Sequence, residues 1–249
     1  MSALGGDEHE AALLAFGERV TGMRAIVVVS AHWQTSGPLR VTAWKSAPLV
    51  YDFGGFPAEL YRLEYPAPGD PALARRVAEL ATAGGFPVEA EMTRGLDHGA
   101  WVPLRLAWPE AAVPVVQLSL PEAKPRDLWR LGTLLRPLLA EGTVVVGSGG
   151  IVHNLRRVHF MEKDAPVDGW AAEFDEWVAQ RVTEGDVEKL FDYRRAAPYA
   201  TSAVPTSEHF DPLFVVLGAA SGGGKPETLY QGFHYGNLSM RSLAFDYDS

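Results

Sequence analysis

Ala25-Ile26-Val27-Val28-Val29-Ser30 runs without a break into Ala31-His32-Trp33, and this stretch decides the fold. An unbroken β-branched run of this length reads as a strand buried on both faces, the pattern of a parallel sheet covered by helices. Two further runs repeat it, Val113-Pro114-Val115-Val116-Gln117-Leu118-Ser119 and Thr143-Val144-Val145-Val146-Gly147-Ser148.

Helical spacing fills the intervals. Asp70-Pro71 offers a capping side chain followed by proline in the first turn. Leu73, Val77, Leu80 and Ala81 follow at helical spacing, and Gly84-Gly85 stops the run. Leu128, Leu131, Leu134, Leu135, Leu138 and Leu139 mark a second helix, and Trp170, Phe174, Trp177, Val178 and Val182 a third. Leu13, Leu14, Phe16 and Val20 mark one near the N-terminus, and another is expected to start after Pro205-Thr206 and run through Phe214 to Leu217. Near the C-terminus the period changes. Residues 229–235 and 238–245 read as two strands joined by Gly236-Asn237, a hairpin-type turn. The expected architecture is α/β: a three-layer α/β/α sandwich with a mostly parallel central sheet and antiparallel edge strands, residues 1–249 forming a single domain.

Composition narrows the chemistry. The formal charge is 22 − 31 = −9, which repels phosphate backbones and argues against nucleic acid as a partner. Cysteine is absent, so disulfides and thiol nucleophiles are excluded and any metal must be held by His, Asp or Glu. Those donors suit iron(II), zinc or manganese. No apolar run approaches the ~20 residues of a membrane span, and the acidic, glycine-bearing start of the chain is unlike a signal peptide. A cytoplasmic protein, monomeric or homo-oligomeric and with no membrane partner, is the expectation.

In open α/β sheets ligands bind beyond the carboxyl ends of the strands. His32 follows the first run directly, and the third leads through Gly149-Gly150 to His153, so both are expected at one crevice. His98 lies in Gly95-Leu96-Asp97-His98-Gly99, and His209 closes Pro205-Thr206-Ser207-Glu208-His209 at an expected helix N-terminus. Taken singly, each loop histidine reads equally as a hydrogen-bonded surface group. No H-x-x-x-H pair, G-x-S-x-G elbow or phosphate-binding glycine loop follows a strand. Residues 51–71 carry Tyr51, Phe53, Phe56, Tyr61 and Tyr65 among glycines and prolines. Such a loop either lines a pocket for a planar substrate, which makes Phe53, Phe56 and Tyr65 candidate substrate contacts, or is pinned by its own aromatic packing.

The order of motifs resembles the class III extradiol ring-opening dioxygenases of the DOPA-dioxygenase type. The residues that carry the likeness are Ser30-Ala31-His32-Trp33, Asp52-Phe53-Gly54-Gly55-Phe56-Pro57, Tyr65-Pro66-Ala67-Pro68-Gly69, Leu96-Asp97-His98-Gly99, Val115-Val116-Gln117-Leu118-Ser119, Val152-His153-Asn154-Leu155-Arg156 and Pro205-Thr206-Ser207-Glu208-His209. The resemblance implies a non-haem iron(II) enzyme that opens a small-molecule catechol with O2. Zinc can occupy such a site in purified protein. It implies His32 and His209 as metal ligands, His153 as a further ligand or the catalytic base, and His98 as a group near substrate or oxygen. Glu208, beside His209, leaves a carboxylate ligand open.

One departure stands out. The family opens with a strand ending in G/S-H-G-S-P, whose histidine is its first metal ligand, and this sequence has no such motif. His9, in a solvated Asp-Glu-His-Glu context, is a poor replacement. Two other readings follow: a binding protein on the same scaffold with an incomplete site, and a zinc hydrolase using the same cleft.

Overall fold

The computed structural model describes residues 6–46, 48–55 and 57–245. The first part of the chain comprises α1 (Glu8–Arg19), β1 (Ala25–Thr35), β2 (Leu39–Thr42), α2 (Pro71–Ala83), β3 (Val88–Glu91), α3 (His98–Ala107) and β4 (Val115–Pro121). Next come α4 (Pro125–Leu135), α5 (Pro137–Ala140), β5 (Thr143–Ser148) and α6 (Gly169–Glu184). The short helices α7 (Val187–Phe191), α8 (Tyr193–Ala196) and α9 (Ala200–Ala203) then lead to α10 (Asp211–Ala219). The last strands are β6 (Pro226–Tyr230), β7 (Phe233–His234), β8 (Leu238–Ser239) and β9 (Ser242–Phe245).

The central sheet has the order β3-β2-β4-β1-β5. β1 runs parallel to both β4 and β5, with Ile26 opposite Val115 and Val144. β2 and β3 are parallel to each other but antiparallel to β4, so the reversed pair occupies one edge as expected. The sheet is therefore mixed but mainly parallel and helix-covered, an α/β sandwich.

β1 is buried on both faces because its side chains alternate between two cores. Ala25, Val27 and Val29 pack with Leu73, Val77, Leu128, Leu131, Phe174 and Phe214 on one face. Ile26 and Val28 pack with Leu96, Trp101 and Leu104 on the other. Burying each such aliphatic side chain contributes about 1.5–3 kcal/mol, so β1 anchors the domain. The strand is longer than the sequence suggests. It continues to Thr35, so His32 lies within the strand rather than just after it, inside the irregular stretch between Val29 and Gln34 where the register with β4 shifts.

The Asp70 side chain caps α2 by accepting from the N–H groups of Ala72 and Leu73. The leucine helix breaks into α4 and α5 at Arg136, because Pro137 has no N–H to continue the ladder. α4 and α10 cross at two glycines. A Cβ on Gly218 would lie 1.9 Å from the Trp129 carbonyl oxygen, and one on Gly132 would lie 2.0 Å from that of Val215. The C-terminal hairpin forms about Gly236 (φ 81°), with β7 pairing β8 inside and β6 pairing β9 outside. These strands form separate ribbons rather than joining the central sheet. Among the described residues no helix is long and apolar enough to cross a membrane.

Candidate metal and substrate site

The irregular stretch of β1 between Val29 and Gln34 carries His32, and the loop after β5 carries His153 beside it. Gly149 and Gly150 make the second placement possible. The Gly150 N–H donates to the His209 carbonyl at 2.7 Å, and a Cβ on Gly149 would sit 2.1 Å from that oxygen. Only glycine allows this approach, which locks the residue 209 turn against the end of β5. His153 is further held by its N–H donating to Ala203 O at 3.0 Å. His98 is the first residue of α3, whose opening turn presses on β1: a Cβ on Gly99 would lie 2.7 Å from His32 Cδ2.

These elements bring four imidazoles together. The His32 ring centroid lies 4.0 Å from that of His98 and 5.1 Å from that of His209. The His153 and His209 rings stack 3.5 Å apart at 5°. A carboxylate that the sequence reading did not single out joins them. Asp52 Oδ1 accepts from the His98 backbone N–H at 2.9 Å and pairs with His98 Nδ1 at 2.8 Å. Asp52 Oδ2 lies 3.8 Å from His32 Nδ1. His32, Asp52 and His98 offer ligand atoms all within 4.8 Å of one another, a group that could hold a metal ion. The donors are nitrogen and carboxylate oxygen, the set expected of iron(II), manganese or zinc and not of a soft-metal site. Glu208 instead pairs with Thr206 Oγ1 at 2.7 Å and His209 Nδ1 at 3.2 Å.

The electrostatics keep the ring nitrogens available. Burial, followed by the neighbouring imidazoles, pushes the pKa values of His32, His153 and His209 below the ordinary 6.5. Partial burial raises the Asp52 carboxyl, but its hydrogen bonds from His98 outweigh this and hold it at about 2. The three depressed imidazoles bind fewer protons folded than unfolded below about pH 6.5, so the metal-free protein loses stability as pH falls through that window. Its Tm is expected to drop between pH 7 and pH 5. The His209→Asn variant should drop less steeply, and equal slopes would contradict the shift.

Phe53 reaches this group, its ring 5.5 Å from that of His98 and edge-on to it. Phe56 lies outside the described residues. Tyr65 is corrected from a substrate contact to a core residue: it is 1% exposed, packed with Trp101 and Leu96, and burial pushes its hydroxyl up to about 12. Tyr51 is likewise tied down, donating from its hydroxyl to Leu63 O at 2.6 Å. Phe53 thus packs against His98, while Tyr51 and Tyr65 fasten the loop. His9 packs elsewhere, against Tyr230 and 3.1 Å from Ser242 Oγ. A cavity of about 830 Å3 runs beside the free edge of β5 and reaches the rings of residues 32, 98, 153 and 209.

The chain is 42% identical to a 4,5-DOPA dioxygenase extradiol of Portulaca grandiflora, over 89% of its length and 82% of the relative's. It is 43% identical to the protein of that name in Escherichia coli K12, over 88% and 81% of the two lengths. The crystal structure of an uncharacterized Escherichia coli K12 protein superposes with a TM-score of 0.80 at 36% identity, covering 95% of this chain and 92% of the other. Residues 9–245 match the family described as the catalytic LigB subunit of aromatic ring-opening dioxygenase, and the chain belongs to that family.

Proposed function

We propose that this protein is an iron(II)-dependent extradiol dioxygenase that opens a catechol-type aromatic beside its diol. The observation that carries the reading is the gathering of His32, His98, His153 and His209 on one cavity towards the carboxyl ends of β1 and β5, with Asp52 bonded to His98. One O2 is consumed per ring, and both its atoms enter the muconic semialdehyde product.

His32 and His209 are assigned as ligands, with Asp52 rather than Glu208 as the nearby carboxylate. A carboxylate can only accept, so the Glu208 contact places the proton of neutral His209 on Nδ1 and leaves Nε2 to face a cation. Iron(II), when bound, supplies the redox chemistry that lets an aromatic ring react with O2. His153 is assigned as the base that takes a catechol proton. Its stacking on His209 supports this, because parallel rings 3.5 Å apart direct their lone pairs along separate parallel planes, and one ion cannot lie in both. A depressed pKa keeps His153 neutral and able to accept. The Asp52 contact similarly puts a proton on His98 Nδ1 and leaves Nε2 to exchange protons with the reacting oxygens. Phe53 would pack on the substrate ring.

The proposal extends to domain organisation: these residues form a single catalytic domain. The edge of β5, which no other strand pairs among the described residues, and the apolar groove beside it, with Val102 and Leu106 on one side and Leu213 and Val216 on the other, support room for one more strand. Anaerobic loading with iron(II), followed by oxygen uptake with catechol and DOPA, tests both parts when the chain is compared with a version extended by an apolar strand ending in His-Gly-Ser-Pro. Stoichiometric uptake with tighter iron binding in the extended form is expected. No uptake by either form would refute the activity, and unchanged affinity would refute the added strand.

A further inference from the structure

Beneath the imidazoles lies a carboxylate that none of these steps uses. Asp97 is 0% exposed, although an ionised carboxylate is among the costliest groups to bury. Four donors surround it. Ser30 Oγ and the Ala100 N–H donate to Oδ1 at 2.7 and 3.1 Å. Gln117 Nε2 and Arg94 Nη2 donate to Oδ2 at 2.5 and 3.5 Å.

Two of these donors continue to one residue of β1. Ser30 Oγ accepts from the His32 N–H at 3.2 Å, and Arg94 Nη2 donates to the His32 carbonyl at 3.1 Å. The Arg94 guanidinium also lies over the Trp33 ring, 5.1 Å from its centroid. On its other side Asp97 immediately precedes His98 and caps α3. A single buried anion thus reaches both backbone groups of His32 and the first turn that carries His98.

We propose that Asp97 is a positioning residue that holds the His32 and His98 rings at a fixed separation by tying the end of β1 and the start of α3 to one carboxylate. The inference rests on reading those two side chains as part of the metal and substrate site. The plainer alternative is that Asp97 is only a helix cap. The two ideas differ in what they require of the side chain. A cap needs one acceptor oxygen, which asparagine also has. The positioning role needs acceptors on both sides, because each oxygen takes two donors. In Asp97→Asn, an amide oxygen turned towards Ala100 and Ser30 leaves an NH2 facing Arg94, and the link through Arg94 to the His32 carbonyl is lost. Gln117 can turn its otherwise unpartnered Oε1 to accept from that NH2, so the fold has a way to tolerate the change.

The test uses cobalt(II) as the probe on the whole chain. Parent, Asp97→Asn and Arg94→Gln are titrated with cobalt(II), and the visible d–d bands, the affinity and the metal-free Tm are recorded. Arg94 is 31% exposed, so its replacement leaves the core intact and serves as the deciding variant should Asp97→Asn not fold. Expected are altered bands and a loss of affinity of roughly 10–100-fold, typical of groups that orient metal ligands, with little change in Tm. Parental bands and affinity in the folded variants, whatever their Tm, would leave Asp97 a helix cap and overturn the inference. Absence of bands in the parent would refute the metal reading itself, and this inference with it.

Discussion

Replacing His153 by alanine is expected to lower turnover by roughly 10²–10⁴-fold, the usual contribution of a positioned general base, while iron content stays near that of the parent. The reason is geometric. His153 stacks face to face on His209, and apart from its ring its backbone N–H is held by Ala203 O, while the Gly150 N–H ties the same loop to the His209 carbonyl. Removing its ring therefore leaves the other imidazoles and Asp52 where they are. Two measurements check this: single-turnover rates under saturating catechol and O2, and metal analysis of the same sample. Partial rescue by added imidazole would support proton transfer as the missing step. If iron is lost in parallel with activity, His153 is a ligand and the base must be sought at His98.

Replacing His32 by alanine is expected to have the larger effect on the metal. Its ring is the hub of the group, 4.0 Å from His98, 5.1 Å from His209 and within reach of Asp52. The loss of affinity should exceed the roughly 10–100-fold that follows loss of an outer hydrogen-bonding partner. The fold should survive, because Ile26, Val27, Val28 and Val29, all fully buried, hold β1 in the sheet upstream of the site. Iron titration and the unfolding temperature of the metal-free variant separate the two effects. Full iron occupancy in this variant would remove His32 from the ligand set.

Much of the fold was legible because its decisive elements obey strong local rules. β1 and β5 are unbroken β-branched runs, and α2 opens on an aspartate cap followed by proline and closes on glycines. β2 and β3 were not legible. Leu39-Arg40-Val41-Thr42 and Val88-Glu89-Ala90-Glu91 are four residues each, alternate with charge and are partly exposed, so only their pairing with each other and with β4 makes them strands. The start of α10 was placed too early. The chain stays in turns through His209, and the helix begins at Asp211-Pro212, a signal of the same kind as Asp70-Pro71.

The four histidines were legible as a set because each follows a strand end or sits in a glycine-bearing or capping turn. Asp52 was not, since a lone acid between Tyr51 and Phe53 looks like loop solubility. Its approach to His98 depends on a loop that folds back some 46 residues in sequence. The hint available was that it is the one aspartate in the aromatic stretch with no helix to cap. The aromatic loop mixed site and scaffold, and composition alone does not separate Phe53 from Tyr65; burial does.

The reading stands on imidazoles from β1 and the turn before α10 holding one cation, with the imidazole from the loop after β5 beside it as the base. X-ray absorption at the iron edge, on anaerobically loaded protein before and after catechol, addresses it most directly. The account predicts a single iron with nitrogen and oxygen neighbours and the multiple-scattering signature of at least two imidazoles, weakened in His32→Ala and in His209→Ala but retained in His153→Ala. Iron surrounded by light atoms without that signature, or a signature indifferent to all three substitutions, would contradict it.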